Sequence, residues 1–149
     1  MGAMRDQRRQ EWRDAIAVYA AVALGSMVGG VLRFLASSAS LSLWGPGFPV
    51  GTLIVNVVGS FVIGFYATLT GPDGRVFASP QQRLLVMAGF CGGLTTFSTF
   101  SLETFMLMRS GKLLVAVANI GVSVVTWLAA VWLGHMLAMR LNRLKRTQP

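Results

Sequence analysis

Four apolar runs dominate this chain, at about residues 15–37, 50–70, 84–108 and 113–139. Each has the length, roughly 20 residues or more, that an α-helix needs to cross the hydrocarbon core of a bilayer. Charge is scarce to match. Only 12% of the residues are charged and 54% are hydrophobic, against about 25% charged in soluble domains, so most of the surface does not face water. The expected fold class is an all-α membrane protein with four transmembrane helices and a break in the third. A polar arm at 1–14 precedes the membrane domain at 15–139, and a basic tail at 140–149 follows it. With 149 residues, one domain is expected.

The net charge of +8 does not mark a nucleic-acid binder. The basic residues cluster at the ends, at Arg5, Arg8, Arg9 and Arg13 and again at Arg140, Arg143, Lys145 and Arg146. Such flanking charge anchors spans and lacks the basic stripe interleaved with aromatics that nucleic acid requires. Four spans put both termini on one side. That side carries ten Lys and Arg against two, Arg109 and Lys112, on the other, which predicts cytoplasmic termini. The single cysteine, Cys91, excludes an intrachain disulfide and reads as a small core residue. No cleavable signal peptide is expected, because the first apolar run is too long and lacks a clean cleavage site.

The spans are not uniformly greasy. In the first, Ala21, Gly25, Gly29 and Arg33 recur every four residues, a small-residue face on which helix backbones approach closely. Arg33 on that face needs a partner, an aqueous vestibule or a headgroup to reach. In the second, Thr52, Asn56, Ser60 and Gly64 form one stripe. Asn56 is interhelical glue or a substrate contact. In the fourth, Asn119, Ser123 and Thr126 make a polar line. His135, near the end of that span, is a weak ligand candidate.

The third span is the most informative. Gly92 and Gly93 let the backbone leave helical geometry, and the break is expected there. Non-helical backbone at membrane depth is tolerated only where it is buried in protein or lines a wet cavity. Broken helices of this kind bind ions, cations by freed carbonyls and anions by helix N-termini. TTFSTF follows. Phe97 and Phe100 share a helix face, with Ser98 and Glu103 nearby. Ring edges attract an anion weakly and hydroxyls do so better, but on spacing alone two phenylalanines read first as lipid or core packing. No nucleophile–base pair, P-loop or GxGxxG occurs, so an enzyme is not expected. A polar path for a small ion or solute fits better. Four helices are too few to enclose and shield such a path, which argues for a two-fold dimer.

The stretches GGVLR at 29–33, GTLIVNVVGSFVIG at 51–64 and GFCGGLTTFSTFSLE at 89–103 resemble the signatures of the Fluc (CrcB) family of fluoride ion channels. The resemblance extends over about residues 18–137. It implies a dual-topology homodimer, its two four-span subunits inserted antiparallel in the bacterial inner (plasma) membrane. It also implies two narrow fluoride pathways and passive fluoride efflux that gives resistance to fluoride toxicity. Phe97 and Phe100 match the family's paired pore phenylalanines, and Asn56 its pore asparagine. Ser98, Glu103, Ser123 and Thr126 fall where the family keeps a polar track. Gly92 and Thr95 match positions whose carbonyls hold a central structural sodium ion, and Arg33 matches the family's arginine on the first helix. The long arm and the lopsided charge depart from the family pattern. A small multidrug-type exporter is the alternative, but it needs a carboxylate in the first span, which has none.

Overall fold

The computed structural model describes residues 2–72 and 74–146. Four helical passes are long and apolar enough to cross a membrane. Helix α1 spans Gly2–Trp44 and α2 spans Val50–Leu69. The third pass is built of pieces: α3 (Pro80–Leu84), a π-helical segment (Leu85–Cys91), α4 (Gly92–Leu94) and α5 (Phe97–Arg109). Helix α6 (Leu113–Arg146) is the fourth.

Helix α1 is longer than its expected span in both directions. Its 43 residues give a rod of about 64 Å at 1.5 Å per residue, beyond the thickness of a bilayer with its headgroups. The described part of the polar arm is therefore helix continuous with the first span. At the other end, the expected span stops at residue 37, but the helix runs on through SASLSLW. Nothing in it breaks a helix until Gly45, and Ser42 Oγ folds back to donate to Ala39 O at 2.9 Å. Gly45 then takes φ 68° and its N–H closes on Leu41 O at 3.0 Å, a left-handed cap that only glycine adopts without strain. Pro46 and Pro49 keep the chain from resuming before α2.

The other connections are equally explicit. Ser79 caps α3 through a reciprocal pair with Gln82, with Pro80 in the first turn. At the end of α5, Gly111 N–H bonds Met108 O at 3.1 Å and Lys112 N–H bonds Leu107 O at 3.0 Å, a Schellman closure around Gly111 at φ 77°. The loop between α2 and α3 is tied to α6. Asn142 accepts from Arg75 N–H at 2.9 Å and donates to Thr68 O at 3.1 Å. His135 Nδ1 pairs with Thr68 Oγ1 at 2.8 Å, and Arg83 donates to Thr70 O and Thr70 Oγ1. Of the basic tail, residues 140–146 continue α6, while 147–149 lie outside the described residues.

The helices meet on small residues. Gly25 and Gly29 of α1 sit against the backbone of Leu85, Phe90 and Leu94, where an added Cβ has no room, as the spacing on that face predicts. Helix α2 packs mainly along α6, and α1 along the π-helical segment and α4. Buried positions are small or polar, such as Ala116, Ala130, Ala138, Thr52, Asn56, Asn119 and Ser123, whereas many Leu, Val, Met and Trp side chains face outward. This distribution inverts that of a soluble domain and suits a chain whose exterior is lipid.

Candidate functional site

The break in the third pass falls at Thr95 and Thr96, three residues beyond where the glycines placed it. Gly92 is helical, at φ −64° and ψ −36°. Thr95 and Thr96 are extended, at φ −81°, ψ 156° and φ −153°, ψ 122°. Gly93 instead lets α1 come close, since a Cβ there would lie 2.5 Å from Ser26 O. Gly92 faces open space within the chain, with nothing inside 4 Å of an added Cβ.

What holds the break open is a side chain from another helix. Asn56 on α2 accepts from Thr96 N–H at 2.7 Å and donates through Nδ2 to Thr96 O at 3.0 Å. Its amide thus pairs both backbone groups of one extended residue, as a neighbouring strand would. Both residues are buried. Thr96 is also the N-cap of α5, with Oγ1 accepting from Thr99 N–H at 3.1 Å. Two carbonyls are released as a result. In an unbroken helix Thr96 N–H would bond Gly92 O, and Thr99 N–H would bond Thr95 O. Both donors are engaged elsewhere.

Arg33 reaches this point from α1, donating Nη1 to Thr95 O at 3.3 Å. Its partner is a carbonyl of the break, which answers the question its place on the glycine face raised. Thr95 Oγ1 donates back to Cys91 O at 2.8 Å. Around the break lies a cavity of about 330 Å³ lined by Asn56, Ser60, Gly92, Thr95, Thr96, Phe97 and Trp127 among others. No basic side chain lines it. Asn56 keeps a second Nδ2 proton with no acceptor among the described residues.

Helix α5 leads from the break toward a second cavity. The rings of Phe97 and Phe100 stand 5.7 Å apart at 44°. Phe100 is buried at 7% exposure, whereas Phe97 is 73% exposed beside the cavity. Six residues beyond Phe97, about 9 Å along the helix, Glu103 lines a second cavity of about 570 Å³ together with Thr52, Ser37, Ser40, Ser110 and Lys112. Thr52 Oγ1 donates to Glu103 Oε1 at 2.9 Å. Glu103 Oε2 is enclosed with no partner among the described residues.

The remaining polar residues divide. Ser123 is buried and donates to Asn119 Oδ1 at 3.4 Å, Asn119 Nδ2 donates to Thr104 Oγ1 at 2.9 Å, and Thr104 donates to Phe100 O at 2.7 Å. This chain ties α6 to the backbone beneath the Phe100 ring. Ser98 is exposed and its hydroxyl lies 3.2 Å from Thr96 Oγ1. Thr126 turns its hydroxyl onto its own helix, donating to Val122 O at 2.7 Å, and lines neither cavity. Sequence reasoning passed over two residues here. Thr96 lies three residues past Gly93, and Trp127 lies off the polar line of Asn119, Ser123 and Thr126.

The donor set also bears on a cation. Among the described residues no three carboxylates, thiols or imidazoles gather, so a cation here depends on neutral oxygens, the released carbonyls foremost. Gly92 O and Thr95 O are hard, neutral donors of the type a monovalent cation takes. Arg33 occupies one direction on Thr95 O and leaves the second lone pair. These residues fit such an ion, but two carbonyls from one chain are too few to replace its hydration shell.

The family model described as CrcB-like protein, Camphor Resistance (CrcB), matches residues 20–135. A protein of Rhodopseudomonas palustris (strain BisB18) named fluoride-specific ion channel FluC 1 is 62% identical, over 92% of this chain and 97% of its own length. One of Bradyrhizobium diazoefficiens with the same name is 56% identical, over 93% and 95%. A third, fluoride-specific ion channel FluC of Methylocella silvestris, is 48% identical over 85% and 97%. The match takes in all three signature stretches and both cavities, and the chain belongs to the CrcB family.

Proposed function

We propose that this chain is the subunit of a fluoride-selective channel in a bacterial membrane, giving passive fluoride efflux and hence resistance to fluoride. The observation that carries the reading is Asn56. Its amide is fixed by two hydrogen bonds to Thr96, keeps one N–H without a protein acceptor, and lines a cavity free of basic side chains. Fluoride is compact and strongly hydrated, so stripping its water is very costly unless donors replace it. The amide of Asn56, the Ser98 hydroxyl and the ring edges of Phe97 and Phe100 are neutral donors of graded strength. A lysine or arginine pointing into the cavity would trap the ion and stop conduction; Arg33, at this depth, is turned onto Thr95 O and does not line it. Thr52 and Glu103, at the second cavity, continue the path. Ser123 supports it through Asn119 and Thr104, and Thr126 stands at its margin. The names of the Rhodopseudomonas and Bradyrhizobium relatives support the same ion.

The working unit in this reading is a homodimer of antiparallel subunits. Phe97 is 73% exposed on one chain, so the cavity lacks a wall on that side, and a second copy supplies it. Two-fold symmetry then gives two pathways. It also doubles the Gly92 and Thr95 carbonyls to four, enough to hold a structural sodium ion, which would fix the two subunits to each other at the break. Purified protein in liposomes is expected to release fluoride, read with a fluoride electrode, and to retain chloride. Fluoride release no faster than from empty vesicles would sink the proposal.

A further inference from the structure

Trp127 lines the same cavity as Asn56 and Phe97. Its indole Nε1–H is enclosed and has no acceptor among the described residues. Buried donors are almost always paired, and one left unpaired is destabilising. Its surroundings show what it lacks. The indole meets Phe100 in a T-shaped contact, with centroids 5.0 Å apart at 73°, and Phe100 in turn meets Phe97. The three rings form a row whose far member carries a true N–H donor. The hydroxyl next to it in sequence is spent, because Thr126 donates to Val122 O. One turn earlier, Ser123 donates to Asn119.

We propose that the Trp127 indole N–H is a hydrogen-bond donor to the permeating anion as it passes Phe100. The assignment rests on the fluoride reading above and names a residue that sequence patterns did not. An indole suits the task, since it is neutral and polarised and cannot lose its proton at physiological pH. It binds an anion more firmly than a phenyl edge without the trapping effect of a cation. It also accounts for the orphaned nitrogen, whose acceptor is the ion itself. Trp127 shapes the path by its ring and selects for a small, strong acceptor by its N–H.

Trp127→Phe removes the donor and keeps a ring against Phe100. In liposomes its fluoride efflux is expected to fall roughly tenfold, the loss expected for one hydrogen bond to a charged partner, with dimer elution unchanged. A second measurement uses the chain with Trp12, Trp44 and Trp132 replaced by Phe, so that Trp127 is the only indole. Its emission is expected to shift on titration with sodium fluoride and not with sodium chloride. Efflux equal to wild type in Trp127→Phe overturns the proposal, because the nitrogen's acceptor is then a group of the second copy. Identical emission in fluoride and chloride overturns it too, and decides the matter if Trp127→Phe does not assemble. Absence of fluoride efflux from the wild-type chain removes the fluoride reading and this inference together, whereas wild-type efflux matched by Trp127→Phe removes this inference alone.

Discussion

Replacing Asn56 with leucine, which keeps the branched outline with somewhat greater bulk, removes every hydrogen bond of this side chain while still filling its site. The amide pairs Thr96 N–H and Thr96 O at 2.7 and 3.0 Å, and Thr96 is only 7% exposed. Asn56→Leu leaves both groups buried and unpaired. Each costs about 1–3 kcal/mol, so the pair costs roughly 2–6 kcal/mol. The chain has one escape. Thr96 N–H can return to Gly92 O if the helix closes, recovering one bond by abolishing the break. Either way the site is lost. In detergent the thermal midpoint of Asn56→Leu is expected to drop by roughly 5–20 °C, taking a few degrees per kcal/mol for a chain of this size, and fluoride efflux is expected to vanish. Asn56→Asp separates accepting from donating. It still accepts from Thr96 N–H, but it sets an oxygen against Thr96 O and has no N–H to offer an anion. Its efflux is expected to vanish with a smaller loss of midpoint. An Asn56→Leu protein that melts within about 2 °C of wild type and conducts normally would refute the staple and the donor role at once.

Three further outcomes follow from the same geometry. Gly93→Ala drives a Cβ to 2.5 Å from Ser26 O whereas Gly92→Ala meets nothing, so the first is expected to lose about 1–3 kcal/mol in thermal denaturation and the second to leave subunit folding intact; equal melting of the two would contradict the packing described. Phe97→Ile, at a side chain 73% exposed in one subunit, is expected to cut fluoride efflux sharply while the dimer still elutes normally, and undiminished efflux would remove Phe97 from the pathway. Exchange of sodium for N-methylglucamine is expected to lower the dimer's thermal midpoint, by up to the ~3 kcal/mol that an ion at a hundred times its dissociation constant contributes; a midpoint indifferent to sodium would remove the proposed ion.

The spans were legible because membrane crossing is a matter of length and hydrophobicity, both local to the sequence. The second span was read as 50–70 and is Val50–Leu69. The extent of α1 was not, because a serine-rich segment looks like loop while its hydroxyls can bond back to their own helix. The existence of a break in the third pass was legible and its position was not. Glycine makes departure from a helix cheap, but a helix is abandoned in lipid only where other partners wait for the freed groups. Those partners sit on Asn56, 40 residues away, and no local pattern announces them. Spacing put Phe97, Phe100 and Glu103 together on one stretch of helix, but on spacing alone the two rings read as packing, and only the family resemblance gave them a part in a pathway. Trp127 was missed because its importance lies in what its nitrogen does not touch.

The placement of the break gives the proposed anion path and the proposed sodium site a single structural origin. Had the helix opened at Gly92–Gly93, its geometry would rest on two flexible residues and on no fixed partner. It opens instead at two β-branched threonines, which favour extended backbone, clamped by an amide from α2. By taking Thr96 N–H, Asn56 deprives Gly92 O of its helical donor. By fixing Thr96 extended, it lets the Thr96 hydroxyl take Thr99 N–H and so frees Thr95 O. The same amide then has one N–H left over. One side chain therefore makes two carbonyl acceptors on one side of the break and presents one donor on the other. Anion donor and cation cradle are therefore linked through one amide: a substitution at Asn56 that can neither donate nor accept, such as Asn56→Leu, must lose fluoride efflux and the sodium dependence of stability together, whereas Asn56→Asp, which still accepts from Thr96 N–H, loses the first and keeps the second. An Asn56→Leu protein that kept the sodium dependence would show that the break is held by something other than the Asn56–Thr96 pair.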